Sequence, residues 1–312
     1  MEQPALIVVT PIFEDVEAAG QLCCELARLN PVPFVVAVDD GSVSQPVSAA
    51  LLEQAGLQGI VLRLKRNVGH QRAIAIGLNY VAEHYPMAQV VVMDSDGEDK
   101  PSTIAELLRV LDNDNTDVVV AQRKSRVETF KFKAFYVVYK VIFQLLTGKR
   151  ISFGNFMALK PAAVKRLAAM QELWIHVAGS VLVSRLRLAT CPLDRGARYA
   201  GQSKMNFVGL ALHGFKGLMV FAEDVLVRVG IACAVVATGS VVGSCAAIVL
   251  KVIGFATPGW FSVALGILLL VFLQTGVLAL MSLLLTGVVR GGGISRDDYT
   301  TFIDEISYAT AP

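Results

Sequence analysis

The chain holds no C-x-x-C, no G-x-G-x-x-G after its first strand-like run and no G-x-x-x-x-G-K-[ST]. Its five cysteines, at 23, 24, 191, 233 and 245, leave an odd one in any pairing. That pattern fits reduced thiols facing the cytosol, argues against a disulfide framework and gives cysteine no metal-binding arrangement. The two missing glycine motifs remove the main support for a dinucleotide-binding or P-loop version of an α/β fold. A net charge of +2 is too small for bulk nucleic-acid binding. The opening MEQPALIVVTPIF has an early acid, no basic leader and an apolar run too short for a signal peptide, so it reads as a first strand.

Charge is missing altogether from residues 229–250, VGIACAVVATGSVVGSCAAIVL. At 1.5 Å per residue these 22 positions reach about 33 Å, enough to cross a hydrocarbon core of ~30 Å. Residues 260–289 make a second uncharged run, in which Gln274 is the one strongly polar side chain and is expected to bond a neighbouring helix. Lys204, Lys216 and Arg228 precede the pair, Arg290 and Arg296 follow it, and the connector carries one lysine. The positive-inside rule then places both ends in the cytoplasm, and the chain in the cell (inner) membrane as a multi-pass protein.

Over residues 1–125, apolar strand-like runs (ALIVVT, PFVVAVDDGS, GIVLRLKRN, AQVVVMDSD, TDVVVAQR) alternate with helical patterns (EDVEAAGQLCCELARL, SQPVSAALLEQAG, QRAIAIGLNYVAEHY, PSTIAELLRVLDN). Continuous valine-rich runs separated by helices indicate parallel strands covered on both faces. Ligands of such sheets sit beyond the carboxyl ends of the strands, which puts Asp39, Asp40, Asp94 and Asp96 on one rim. In VVVMDSDGEDKP a buried strand runs straight into four acids, Asp94, Asp96, Glu98 and Asp99. Residues 94, 96 and 98 of an extended segment point the same way, and their repulsion calls for a cation: a hard divalent ion, Mg²⁺ or Mn²⁺, shared with substrate phosphates. A solvated acidic turn that caps the helix starting near Pro101, through Asp99 or Ser102, is the plainer alternative.

These segments resemble the inverting GT-A-fold glycosyltransferases of family 2. VVTPIFED is similar to their first strand and P-x-Y-N-E turn, VAVDDGS to their D-D-G-S, RNVGHQRAIAIGL to their N-x-G-x-x-x-A-x-x-x-G-L helix and DSDGEDKP to their D-x-D-x-Q-D-P-P. VVVAQR resembles the G-x-R segment and RYAGQSKM the R-x-x-G-x-S-K-Y segment. Followed by paired membrane spans, the set resembles polyprenyl-phosphate sugar transferases of the dolichol-phosphate mannose synthase and bactoprenol glucosyltransferase type. The chain departs from the pattern at Glu14 (Asn in the family), Asp15 (Glu), Glu98 (Gln), Lys100 (Pro) and in GNF at 154–156, where relatives often have G-D-F.

The resemblance implies a Rossmann-like, mostly parallel GT-A catalytic domain over 1–200, with a basic interfacial helix near 128–147. A juxtamembrane amphipathic segment (201–227), two transmembrane helices (228–289) and a cytoplasmic tail (290–312) follow. It implies transfer of a sugar from a nucleotide-sugar to a polyprenyl (undecaprenyl or dolichyl) phosphate with inversion. Pro11, Asp15, Asp39, Asp40, Asn67 and Asp94 would hold the nucleotide-sugar; Asp94, Asp96 and Glu98 would hold Mg²⁺ or Mn²⁺. Arg123, Arg198, Ser203 and Lys204 would hold the lipid phosphate, with Asp96, Arg123 and Lys204 as the catalytic set. Homo-oligomers are a further family-based expectation.

Residues 123–150 carry eight Lys or Arg against Glu128 alone, among six aromatics, which is a membrane-surface composition beside two spans. The bilayer is thus a partner and nucleic acid is not. His70 and Gln71 sit beside the N-x-G turn, either as donor contacts or as helix-start surface residues; Trp174 reads as core, and the tail is uninformative. Rival readings are a processive polysaccharide synthase, for which QELW lacks the arginine of Q-x-x-R-W, and an inactive membrane adaptor.

Overall fold

The structure, a computed structural model, describes residues 3–123, 140–149, 153–199, 207–255, 257, 259–291 and 298–310. They form two compact units. In the first, strands β1 (Leu6–Ile12), β2 (Phe34–Asp39), β3 (Gly59–Leu64), β4 (Gln89–Val92), β5 (Val118–Arg123), β6 (Met157–Leu159), β7 (Leu188–Leu193) and β8 (Ile303–Ala309) make one sheet of order 7-5-6-4-1-2-3-8. β1, β2, β3 and β4 are parallel to their neighbours within that group, as are β5 and β7. β6 runs antiparallel between β4 and β5, and β8 antiparallel along β3.

Alternation of side chains sorts each strand into two cores. Ile7, Val9, Val36, Val38, Ile60, Leu62, Val90 and Val92 face one way with α3 (His70–His84) and the helix Pro161–Ala168. Leu6, Val8, Val35, Ala37, Val61 and Val91 face the other, under α1 (Val16–Leu26), α2 (Ala49–Gln54) and α4 (Ile104–Leu111). Helices on both faces explain why these strands are apolar throughout rather than on every second residue. Cys23 packs inside α1's core, and burial pushes its thiol up to about 12, which marks it as structural. In order after α4 come α5 (Pro161–Ala168), α6 (Val177–Val183) and α7 (Phe207–Met219).

Of residues 290–312, expected as a tail, those from 298 to 310 lie on the sheet of the first unit. Within them Tyr299–Phe302 is a 3₁₀ turn and β8 covers the edge of β3, with Leu62 opposite Ile306 and Gly59 opposite Ala309. An uncovered β3 would present a row of unpaired N–H and C=O groups. Buried Tyr299 fixes the return: its hydroxyl donates to Glu83 (2.5 Å) and its ring meets Tyr80 edge-on.

In the second unit α8 (Ala222–Val252) and α9 (Trp260–Gly291) pack against each other, both long and apolar enough to cross a membrane. Small residues let them approach: Ser240, Ala247, Ser282 and Thr286 are buried. Their hydroxyls stay satisfied within their own helices, as in Ser240 to the Val236 carbonyl (3.0 Å) and Thr286 to that of Ser282 (2.7 Å). Gln274 is exposed on α9. Of the basic segment near 128–147, residues 140–147 are helical; residues 124–139 lie outside the described set.

Candidate active site

The carboxyl ends of β1, β2 and β4 converge on one rim. At the first, Pro11 is buried in register with Val38, and the Ile12 carbonyl accepts the Asp40 N–H (2.8 Å). Asp15 precedes α1 without capping it, and its side chain is half-buried. Asp39 is fully buried, and its two oxygens accept the N–H groups of Ser42 (3.0 Å) and Val47 (3.1 Å), which closes the loop after β2. Asp40 reaches the other way and accepts the N–H groups of Val68 (2.7 Å) and Gly69 (2.9 Å), fixing the turn that opens α3. Burial raises the Asp40 carboxyl above its ordinary range although those two N–H groups oppose the shift. Gly41 between this turn and the β2 loop has φ +71°, and a Cβ there would meet the Arg66 and Asn67 backbone at 2.4–2.6 Å. Asn67 itself is exposed.

The two aspartates expected to grip the nucleoside therefore shape the rim through its backbone. Both are spoken for by N–H groups, whereas Asp15 and Asn67 border the same rim with exposed surface.

The acidic loop after β4 is held by charges from distant segments. The Asp94 carboxylate lies 3.1 Å from His70 Nε2, which is also 3.0 Å from the Asn155 side-chain amide. An imidazole N–H pointing at Asp94 is compatible with an Asn155 amide that turns its oxygen inward. Desolvation lowers the His70 pKa, but Asp94, with Asp40 and Asp96 behind it, outweighs that and leaves it above the ordinary value. Asp96 accepts the Glu98 N–H (3.0 Å) and pairs with Arg198 (2.9 Å). Burial, then repulsion from Asp94, raises its carboxyl; Arg198 and Arg195 pull it back. Glu98 is taken by two guanidiniums, Arg198 Nε at 3.0 Å and Arg195.

Residues 195–199 lie along this loop as a second layer, with the Gly196 N–H on the Glu98 carbonyl (2.8 Å) and the Tyr199 N–H on that of Asp96 (2.9 Å). Gly97 allows it: φ is +85°, and a Cβ would stand 2.7 Å from the Tyr199 ring. A small open cleft lies beside the layer, lined among others by Asp94, Glu98, Asp99, Gln122, Asn155 and Arg195.

Arg198 thus reaches the acids rather than standing apart for an acceptor. Arg195, His70 and Asn155 join a site that the sequence reading did not assign to them. The doubled arginine of DRGARY was the available signal for the first, and the G-N-F departure for the last. Gln71 is a structural tie, accepting the Val177 N–H (2.7 Å) at the start of α6. His176 caps that helix through Gly179 (3.0 Å), and Trp174 packs on Phe302. Ser203, Lys204 and the Arg123 side chain lie outside the described residues; the Arg123 backbone ends β5.

Known proteins are similar to this chain in sequence or in fold. "Uncharacterized glycosyltransferase YkoT" of Bacillus subtilis is 23% identical over 285 residues, spanning 87% of this chain and 84% of that one. The undecaprenyl-phosphate 4-deoxy-4-formamido-L-arabinose transferase of Serratia proteamaculans is 30% identical over 48% of this chain and 45% of its own length. The dodecaprenyl-phosphate galacturonate synthase of Rhizobium johnstonii is 24% identical over 64% and 61%. The chain thus spans about half to two thirds of these two named transferases. In fold it is similar to glucosyl-3-phosphoglycerate synthase of Mycobacterium tuberculosis, solved with Mn²⁺ and UDP-glucose (TM-score 0.50, 16% identity, 72% of this chain and 79% of that one). Residues 8–164, which run from within β1 through β6 and carry Asp39, Asp40, Asp94 and Asp96 of the rim, match Glycosyl transferase family 2, and the chain belongs to that family of glycosyltransferases.

Proposed function

We propose that this glycosyltransferase moves a sugar from a nucleoside diphosphate to the phosphate of a membrane polyprenol, inverting the anomeric centre, at the cytoplasmic face of the cell membrane. The observation that carries the reading is the meeting of Asp96 and Glu98 with the Arg195–Arg198 layer beside Asp94, in a chain that also bears two membrane-length helices. The named relatives act on undecaprenyl and dodecaprenyl phosphates, which supports the acceptor class.

Four carboxylates (94, 96, 98, 99) face two guanidiniums (195, 198), so before any charge on His70 is counted the patch carries 2 − 4 = −2. A divalent cation balances that charge, and the oxygen donors of Asp94 and Asp96 suit a hard ion such as Mg²⁺ or Mn²⁺. The Mn²⁺ in the Mycobacterium tuberculosis enzyme supports the same choice. Bound there, such an ion supplies electrostatic stabilisation of the leaving diphosphate. Arg198 adds a bidentate-capable cation where that negative charge develops. A phosphate monoester with second pKa near 6 is largely ionised at neutral pH, so the acceptor needs cations and placement rather than a general base. Arg123, Ser203 and Lys204 are assigned to that phosphate, and Pro11, Asp15, Asn67 and the Asp39–Asp40 turn to the nucleoside side.

The chain's connectivity supports this topology. The chain leaves the first unit before α8 and rejoins its sheet at β8, so a pair of spanning helices returns it to the starting side. The test is to give the purified full chain UDP-, GDP- and CMP-sugars with polyprenyl phosphate and Mn²⁺ or Mg²⁺, and to weigh the lipid product. A glycosylated lipid phosphate supports the reading; a growing polymer, or no lipid product with any donor, refutes it.

A further inference from the structure

At the turn after β1, Glu14 stands in the left-handed region at φ +49°, a conformation that disfavours residues other than glycine. Its carboxylate explains the tolerance. One oxygen accepts the N–H groups of Val43 (2.6 Å) and Ser44 (3.0 Å), and the other accepts that of Gln45 (2.9 Å). Three successive amides converging on one anion form a nest, and bonds to a carboxylate are about twice as strong as neutral ones. The α1 N-terminus begins two residues later and favours negative charge there. The Glu14 N–H in turn donates to Ser42 Oγ (2.9 Å), whose own N–H is held by Asp39.

We propose that Glu14 is a positioning residue for the donor's nucleoside: its carboxylate fills the 43–45 nest and sets the shape of the loop that follows Asp39 and Asp40. This rests on the donor reading of the rim given above. The loop is exposed, and Val43 is held outward with 86% of its surface in solvent, an apolar face of the kind a planar base covers. A charged group spent on an exposed loop, with backbone strain beside it, makes sense where the loop must keep one shape before the ligand arrives. The departure from Asn at this position thereby acquires a role of its own.

The test uses the full chain in detergent or nanodiscs, with UDP and GDP plus Mn²⁺ as probes. Glu14→Ala should raise the Kd of the nucleotide that the parent binds by about tenfold, with kcat at saturating donor held within about threefold. Amide exchange at 43–45 should accelerate by a similar factor. Sodium formate, which can refill the nest, should restore both readouts, and sodium chloride at equal ionic strength should not. Glu14→Gln keeps the shape and loses the charge, so it should fall between parent and Ala and ignore formate; it carries the test if the alanine variant does not fold. Unchanged exchange shows that Glu14 does not hold the loop and overturns the proposal. Faster exchange with unchanged nucleotide affinity, or a loss that formate does not restore, overturns it as well. A parent that binds neither nucleotide refutes the donor reading and the positioning role with it, and the exchange arm still reports separately whether Glu14 fills the nest.

Discussion

Glu98 offers a two-way test of the acidic loop. The sequence reading makes it a metal ligand, whereas the geometry gives both its oxygens to Arg195 and Arg198. Glu98→Gln removes one negative charge and frees Arg195, whose side chain is 37% exposed, to compete for Asp94 and Asp96. A unit charge at about 4 Å is worth roughly 4 kcal/mol at an effective dielectric of 20. Partial exposure of both arginines screens that to about 1–2 kcal/mol, or about tenfold in affinity. Mn²⁺ binding, by calorimetry with UDP present and by the EPR signal of free Mn²⁺ without it, should therefore weaken about tenfold in Glu98→Gln. In Arg195→Gln it should tighten by a similar factor. Both changes together return the patch to −2, and the double variant should bind within about threefold of the parent. A double variant as weak as Glu98→Gln alone would refute the pairing argument and make Glu98 a direct ligand.

Asp96→Asn should abolish transfer and weaken nucleotide binding only when Mg²⁺ or Mn²⁺ is present; parent activity that survives metal removal, or an equal loss of nucleotide binding in the variant with and without metal, contradicts the metal role. Lys204→Ala should raise the KM for lipid phosphate by roughly ten- to a hundred-fold, since a charged hydrogen bond is worth about 1.5–3 kcal/mol, while the donor KM stays near the parent's; the reverse pattern assigns Lys204 to the donor. Cysteines placed near Ser42, at exposed Ser44, and at exposed Thr300 should be shielded from an impermeant reagent in intact cells while one at Thr257 reacts, and labelling at Ser44 would put the rim on the wrong side of the membrane for its donor. Arg187 holds the Asp117 carboxyl down at about 2, from 3.8. That depressed group stabilises the fold above pH ~4 and loses its contribution as pH falls toward 2, so acid unfolding curves should show a smaller drop over that window in Asp117→Asn than in the parent.

Strands β1 to β5 and the helices between them were legible because each is a run of apolar residues long enough to show its period. β6 was not, since three residues carry no periodicity, and β7 contains Pro192 and half-exposed positions. β8 escaped for another reason: IDEISYA is polar, as an edge strand can be, and it follows two apolar helices that invite its reading as a tail. At the rim, the type and order of the acids were legible, but their partners were not. Glu98 meets arginines about a hundred residues away, and His70 meets Asp94 and Asn155 from a different helix and loop. No local pattern records such pairings. Glu14 stood out only as a departure from the family, and its use became visible when the amides of 43–45 were found around it.

The pairing of Gly59 with Ala309 sets an order of events during synthesis. β3 emerges early and β8 only after both apolar helices, so the sheet stays open on that side while α8 and α9 are being made. An early edge left waiting is a template for other chains. Closure of the sheet is thus deferred until both apolar helices have been made, and a chain cut short after them keeps an open β3.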